Sequence, residues 1–124
     1  ENHFRQELVP LREAVKKEKP RILIGASGSF DTFHALIMHR KGTEPDPYFG
    51  REISLKDYSR LHKILVRSTR EERLAMPGME PVRVEMIVAA TIFVSFVIRD
   101  CQISHLYHSE FALKEGVISE LVGI

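Results

Sequence analysis

The chain has one cysteine, no tryptophan, almost no net charge and no long uninterrupted hydrophobic run. Its single thiol, Cys101, excludes an internal disulfide framework and a cysteine-rich zinc site, and it fits a reducing, cytoplasmic compartment. With 18 Lys and Arg against 17 Asp and Glu the formal charge is +1, so no overall field points to a nucleic-acid or membrane-surface partner. Any bound anion has to be held locally. The longest apolar stretch, Met86 to Ile98, is broken by Thr91 and Ser95 and falls short of the roughly 20 residues a spanning helix needs. It reads as a buried helix. No basic start, apolar run and small-residue cleavage site opens the chain, so no signal peptide is expected. Glycine and proline are sparse, at 7 and 6 of 124 residues, while apolar residues make up 44% and charged residues 28%. That is a globular composition sized for one domain. The chain opens at Glu1 and not at a methionine, which suggests a segment cut from a longer polypeptide.

Phe4, Leu8, Leu11 and Val15 share one helical face, with a kink or a restart expected at Pro10 and an end at Pro20. Arg21 to Gly25 (RILIG) is a branched apolar run that switches to small residues, as a buried strand entering a tight turn does. Helical spacing then resumes from Ser29 to His39, and Lys41 to Gly50 (KGTEPDPYFG) reads as an exposed loop. Ser54 to Asp57 (SLKD) and Thr69 to Glu72 (TREE) resemble capping boxes. Pro81 suits the first turn of the long apolar helix, which runs to about Arg99. Gln102 to Tyr107 (QISHLY) alternates as a second strand, and a final helix is expected over roughly Glu110 to Leu121. Two strands joined by mostly helical sequence predict a parallel pair with a right-handed crossover. A two-stranded sheet is thin, so further strands are expected outside this chain.

Gly25 to Ser29 (GASGS) carries the strongest chemical signal, because a glycine-rich turn between strand and helix lets backbone amides and a helix N-terminus face an anion. A dinucleotide turn would need glycine where Ser27 and Asp31 stand. A nucleophile elbow on Ser27 would need glycine in place of Ser29, with Asp100 and His105 or His108 completing a triad. A plain strand-to-helix turn needs only glycine for its backbone and serine for capping. The six histidines show no metal-ligand spacing. Arg67 to Arg73 (RSTREER) is a charge cluster that solvates a helix start or meets a phosphate chain. Arg83 and Glu85 open the apolar helix, where one of them is expected to point into a polar cleft. Against this stand an ion pair or first-turn charges at a helix dipole, and the same holds for Lys114 and Glu115.

Four segments in order, Leu23 to Leu36 (LIGASGSFDTFHAL), Glu72 to Gly78 (ERLAMPG), Arg83 to Ala90 (RVEMIVAA) and Phe111 to Leu121 (FALKEGVISEL), resemble the second half of the exopolyphosphatase / guanosine pentaphosphate phosphohydrolase (Ppx/GppA) family. Its pattern there is V-G-T-G-G-T, E-R-x-x-x-x-G, R-A-D-x-I-x-x-G and G-L-R-E-G. Ala26, Ser27 and Ser29 replace Thr, Gly and Thr, Glu85 replaces Asp, Ala90 replaces Gly and Lys114 replaces Arg, while Gly25, Gly28, Arg83, Glu115 and Gly116 stand.

The resemblance implies an α/β fold in which residues 1–124 form a helix-rich partial second lobe of an actin-like ATPase (ribonuclease H-like) domain, with a small parallel sheet. It implies hydrolysis of a terminal phosphoanhydride in the intact protein, on polyphosphate or a guanosine nucleotide, with Mg²⁺ as cofactor. The family's catalytic carboxylate and its D-x-G-S and G-G-G-S loops belong to earlier sequence, so this chain is expected to hold no catalytic or metal-ligating residue. Its expected phosphate- or nucleotide-binding residues are Gly25, Ala26, Ser27, Gly28, Ser29, Arg83, Glu85 and Lys114. An N-terminal lobe of the same polypeptide and a homodimeric copy are the expected protein partners. The alternative is a nucleotide- or alarmone-binding regulatory module of the same fold without hydrolysis.

Overall fold

In a computed structural model, which describes residues 1–43 and 51–124, the chain forms helices on a small sheet. The element order is α1 (Asn2–Glu7), α2 (Val9–Glu18), β1 (Ile22–Ala26), α3 (Gly28–Lys41), β2 (Arg51–Ile53), α4 (Leu55–Arg67), α5 (Arg70–Leu74), a 3-10 turn (Pro81–Arg83), α6 (Met86–Asp100), β3 (His105–Ser109) and α7 (Leu113–Val122). Most of the loop expected at 41–50 lies outside the described residues.

The two expected strands pair in parallel, Ile22 with His105 through Ala26 with Ser109. The small parallel sheet needs one correction. β2 joins the other edge of β3 antiparallel, with Arg51 opposite His108 and Ile53 opposite Leu106, so the sheet is mixed, in the order β1-β3-β2. Three residues with one buried apolar side chain leave no alternation to read, which is why β2 was not expected from sequence. The strand expected at 102–107 starts later, at His105, because Gln102 takes a left-handed turn (φ 54°) after α6.

Leu106 and His108 of β3 point into the core, where Phe33 and Leu36 of α3, Tyr58, Leu61 and Leu65 of α4, and Ile87 and Val94 of α6 meet. Each of the Leu, Ile, Val and Phe side chains among them contributes about 1.5–3 kcal/mol by leaving water. Ile87, Thr91 and Val94 follow the helical repeat, so α6 turns that stripe to α4, and the buried Tyr58 hydroxyl donates to the Thr91 carbonyl at 3.0 Å. The opposite side of α6 takes Phe4, whose ring meets Phe93 edge-on at 5.1 Å. Pro10 restarts the first helix as α2 and does not merely kink it. Among the described residues, no helix is long and apolar enough to cross a membrane. Pro81 opens a 3-10 turn instead of the long helix, and this delay sets the position of Arg83.

Candidate functional site

β1 and β3 run parallel and in register, so the turn after Ala26 and the segment after Ser109 leave the sheet at the same end. Gly25 to Ser29 forms the first of these. Its glycines serve a different purpose from the one sequence suggests. Neither Gly25 nor Gly28 is left-handed; the left-handed residue is Ser27, at φ 65°. Both glycines permit close approach. A Cβ on Gly25 would lie 2.1 Å from the Phe30 ring, and one on Gly28 would lie 2.7 Å from the Arg83 guanidinium. Nor does Ser27 cap α3 with its side chain; its carbonyl accepts from the amides of Phe30 at 2.9 Å and Asp31 at 3.3 Å. A non-glycine residue in this conformation costs about 1–3 kcal/mol, and such strain clusters at ligand-binding turns.

Arg83 lies over Gly28 from the 3-10 turn. Its Nε is buried without a hydrogen-bond partner among the described residues, and the nearest carboxylate oxygen paired with it, on Glu80, is 3.8 Å away. The structure thus brings together five of the candidate residues, Gly25 to Ser29, with a sixth, Arg83. It directs Glu85 elsewhere: its carboxylate binds Arg70 Nε at 2.6 Å on an exposed surface. Lys114 leaves the same end of the sheet on α7, exposed and 3.3 Å from Glu115. The Glu115 carboxylate accepts the Ala112 amide at 2.8 Å, and this bond holds its pKa below the ordinary carboxylate value.

The arginine-rich segment 67–73 has structural partners. Thr69 and Glu72 form the expected reciprocal capping box, whereas at Ser54 only the forward bond is made and Asp57 pairs with Lys41 instead. Arg73 clamps the turn that leads into α6, donating to the carbonyls of Val84 at 3.0 Å and Ser68 at 2.7 Å. The triad imagined on Ser27 is not assembled. Asp100 binds Arg12 at 2.9 Å, before β3 begins and so at the opposite end of the sheet, while His105 binds Glu52.

Beside the turn lies a polar cluster that sequence reasoning did not single out. His108 Nε2 donates to Asp31 Oδ1 at 2.7 Å, and its ring stacks on His34 with centroids 4.9 Å apart. Arg51 approaches His34 Nδ1 at 3.5 Å and binds Glu110 at 2.8 Å. Arginine only donates, so this Nδ1 is an acceptor and His34 is neutral. Burial, followed by the electrostatic influence of its neighbours His108 and Arg51, pulls its pKa from 6.5 to about 4. The available signal was the parity of β3: His108 falls on the same face as Leu106, so it had to be buried beside whatever that face met.

These features define a class: a helix-backed α/β lobe whose glycine turn and arginine converge at the carboxyl ends of parallel strands, where such folds bind ligands. Residues 1–123 match the Ppx/GppA phosphatase family, and the chain belongs to that family. The crystal structure of an exopolyphosphatase from Cytophaga hutchinsonii is similar at 36% identity and a TM-score of 0.89, covering 99% of this chain and 40% of that one. A Ppx/GppA family member from Aquifex aeolicus shares the fold at 21% identity and a TM-score of 0.70, covering 96% of this chain and 42% of that one. The chain therefore spans less than half the length of these structures. No curated protein matches it.

Proposed function

We propose that residues 1–124 are the C-terminal part of a Ppx/GppA phosphatase domain and form the lobe that holds the phosphates of a phosphoanhydride substrate, polyphosphate or guanosine pentaphosphate. The observation that supports this most is the contact of Arg83 with Gly28 at the start of α3, together with an Arg83 Nε that is buried without a hydrogen-bond partner among the described residues. Helix-start amides and a guanidinium bind phosphate oxygens and offset charge that develops on them as the terminal bond breaks. The carboxylate that positions water would come from the rest of the polypeptide. The resemblance implies Mg²⁺, yet among the described residues no group of three or more His, Cys, Asp or Glu could hold a metal ion. The described residues do not fit a protein-held Mg²⁺ site.

The rest of the polypeptide is also the proposed cover for the exposed apolar side chains of Ile22, Ile24, Phe111, Leu113 and Leu121, with a second copy of the chain as the other occupant. A cytoplasmic setting is proposed on the buried, unpaired Cys101. The non-hydrolytic regulatory reading keeps one supporting observation, the replacement of the family's arginine by Lys114, a point cation engaged with Glu115. Phosphate release separates the two. In the full-length protein Arg83→Ala is expected to weaken polyphosphate binding and slow phosphate release; unchanged affinity would remove Arg83 from the site.

A further inference from the structure

A cation and an anion flank the start of α3 without neutralising each other. Arg83 lies over Gly28, and Asp31 stands three residues further on, a neighbouring position on the helix surface. Among the described residues no ion pair joins them: Arg83 is within reach of Glu80 at 3.8 Å, and Asp31 Oδ1 is taken by His108 at 2.7 Å. The His108 side chain is 3% exposed and that of Asp31 is 52% exposed, so a sealed imidazole orients a carboxylate that faces solvent. The other ring nitrogen, Nδ1, is buried without a partner among the described residues. That carries a desolvation penalty which an apolar side chain at position 108 would avoid, so folding alone does not account for the pair.

We propose that Asp31, oriented by His108, is a specificity-determining residue of this site: it accepts a hydrogen bond from a ligand group beside the phosphates and repels a phosphate chain that brings no donor. The proposal rests on the reading that the glycine turn and Arg83 hold phosphates. A bare phosphate chain offers acceptors, whereas the sugar hydroxyls and base N–H groups of a nucleoside polyphosphate offer donors. A carboxylate with no further metal-ligating cluster around it suits such a donor better than a metal ion held by protein alone.

The test compares dissociation constants of tripolyphosphate and guanosine triphosphate, by calorimetry on the full-length protein in chelator, for the wild type, Asp31→Ala and Asp31→Asn. The wild type is expected to prefer the nucleotide. Asp31→Ala removes both acceptor and repulsion, so the preference falls about tenfold or more. Asp31→Asn keeps an acceptor without the charge, so nucleotide binding persists while tripolyphosphate binding tightens. Damage to the fold would weaken both ligands together and leave their ratio unchanged. An unchanged ratio in Asp31→Ala, with both ligands still bound, would overturn the proposal, as would a ratio that responds to Asp31 only when Mg²⁺ is added. Failure of the wild type to bind either ligand would overturn the phosphate-site reading, and this proposal with it.

Discussion

Replacing Gly28 by alanine adds one methyl group at the contact on which the site depends. The new Cβ would stand 2.7 Å from Cζ and both terminal nitrogens of Arg83, against an ordinary contact of about 3.5–4.0 Å. The guanidinium therefore has to retreat by about 1 Å. Folding should tolerate this, because Gly28 lies outside the left-handed region and the displaced group is the far end of a flexible side chain. Binding should not. A charge-assisted hydrogen bond is worth about 1.5–3 kcal/mol, so a misplaced Arg83 weakens affinity for a phosphate chain by about 10–100-fold. Calorimetric titration of the full-length protein with tripolyphosphate reads the affinity, and thermal unfolding reads the fold, whose midpoint is expected to move by less than about 3 °C. The double variant with Arg83→Ala should bind no worse than Arg83→Ala alone, since both changes act on one contact. Wild-type affinity in Gly28→Ala, or additive losses in the double variant, would refute the reasoning.

Acid should weaken the fold through His34. Its folded pKa is near 4 against 6.5 when exposed, so the folded state binds fewer protons between those values. Stability attributable to this ring is complete above pH 6.5 and is lost as pH falls toward 4, by at most about 3 kcal/mol. Denaturant midpoints of the wild type and His34→Gln across that range should converge in slope only if the account is wrong. Gly25→Ala should destabilise by about 1–3 kcal/mol, because its Cβ meets Phe30 at 2.1 Å and Phe30 is packed edge-on against Phe33. Adding Phe30→Leu should recover part of that loss in chemical denaturation, and no recovery would mean that the clash lies elsewhere.

Much of the fold was legible because its signals are local. The Thr69 capping box, the RILIG strand and its parallel partner follow from spacing and turn chemistry within one segment. What escaped depends on distant partners. β2 exists because β3 offers it an edge, and the His108–Asp31 pair joins residues 77 positions apart. Glu85 illustrates the same limit: its place in the motif suggested a cleft, while Arg70, fifteen residues earlier, holds it at the surface. Gly25 and Gly28 were found by sequence, but the reason for them was not, since close approach of Phe30 and Arg83 becomes visible only when the chain is folded.

Phosphate release from long-chain polyphosphate and from guanosine pentaphosphate, by the full-length protein and its Arg83→Ala variant, tests the central claim most directly. The account expects release from at least one substrate by the wild type, and a loss of about tenfold or more in the variant. Release that is indifferent to Arg83 would contradict the assignment of this lobe as the phosphate holder, and binding without release from either substrate would put the regulatory reading in its place.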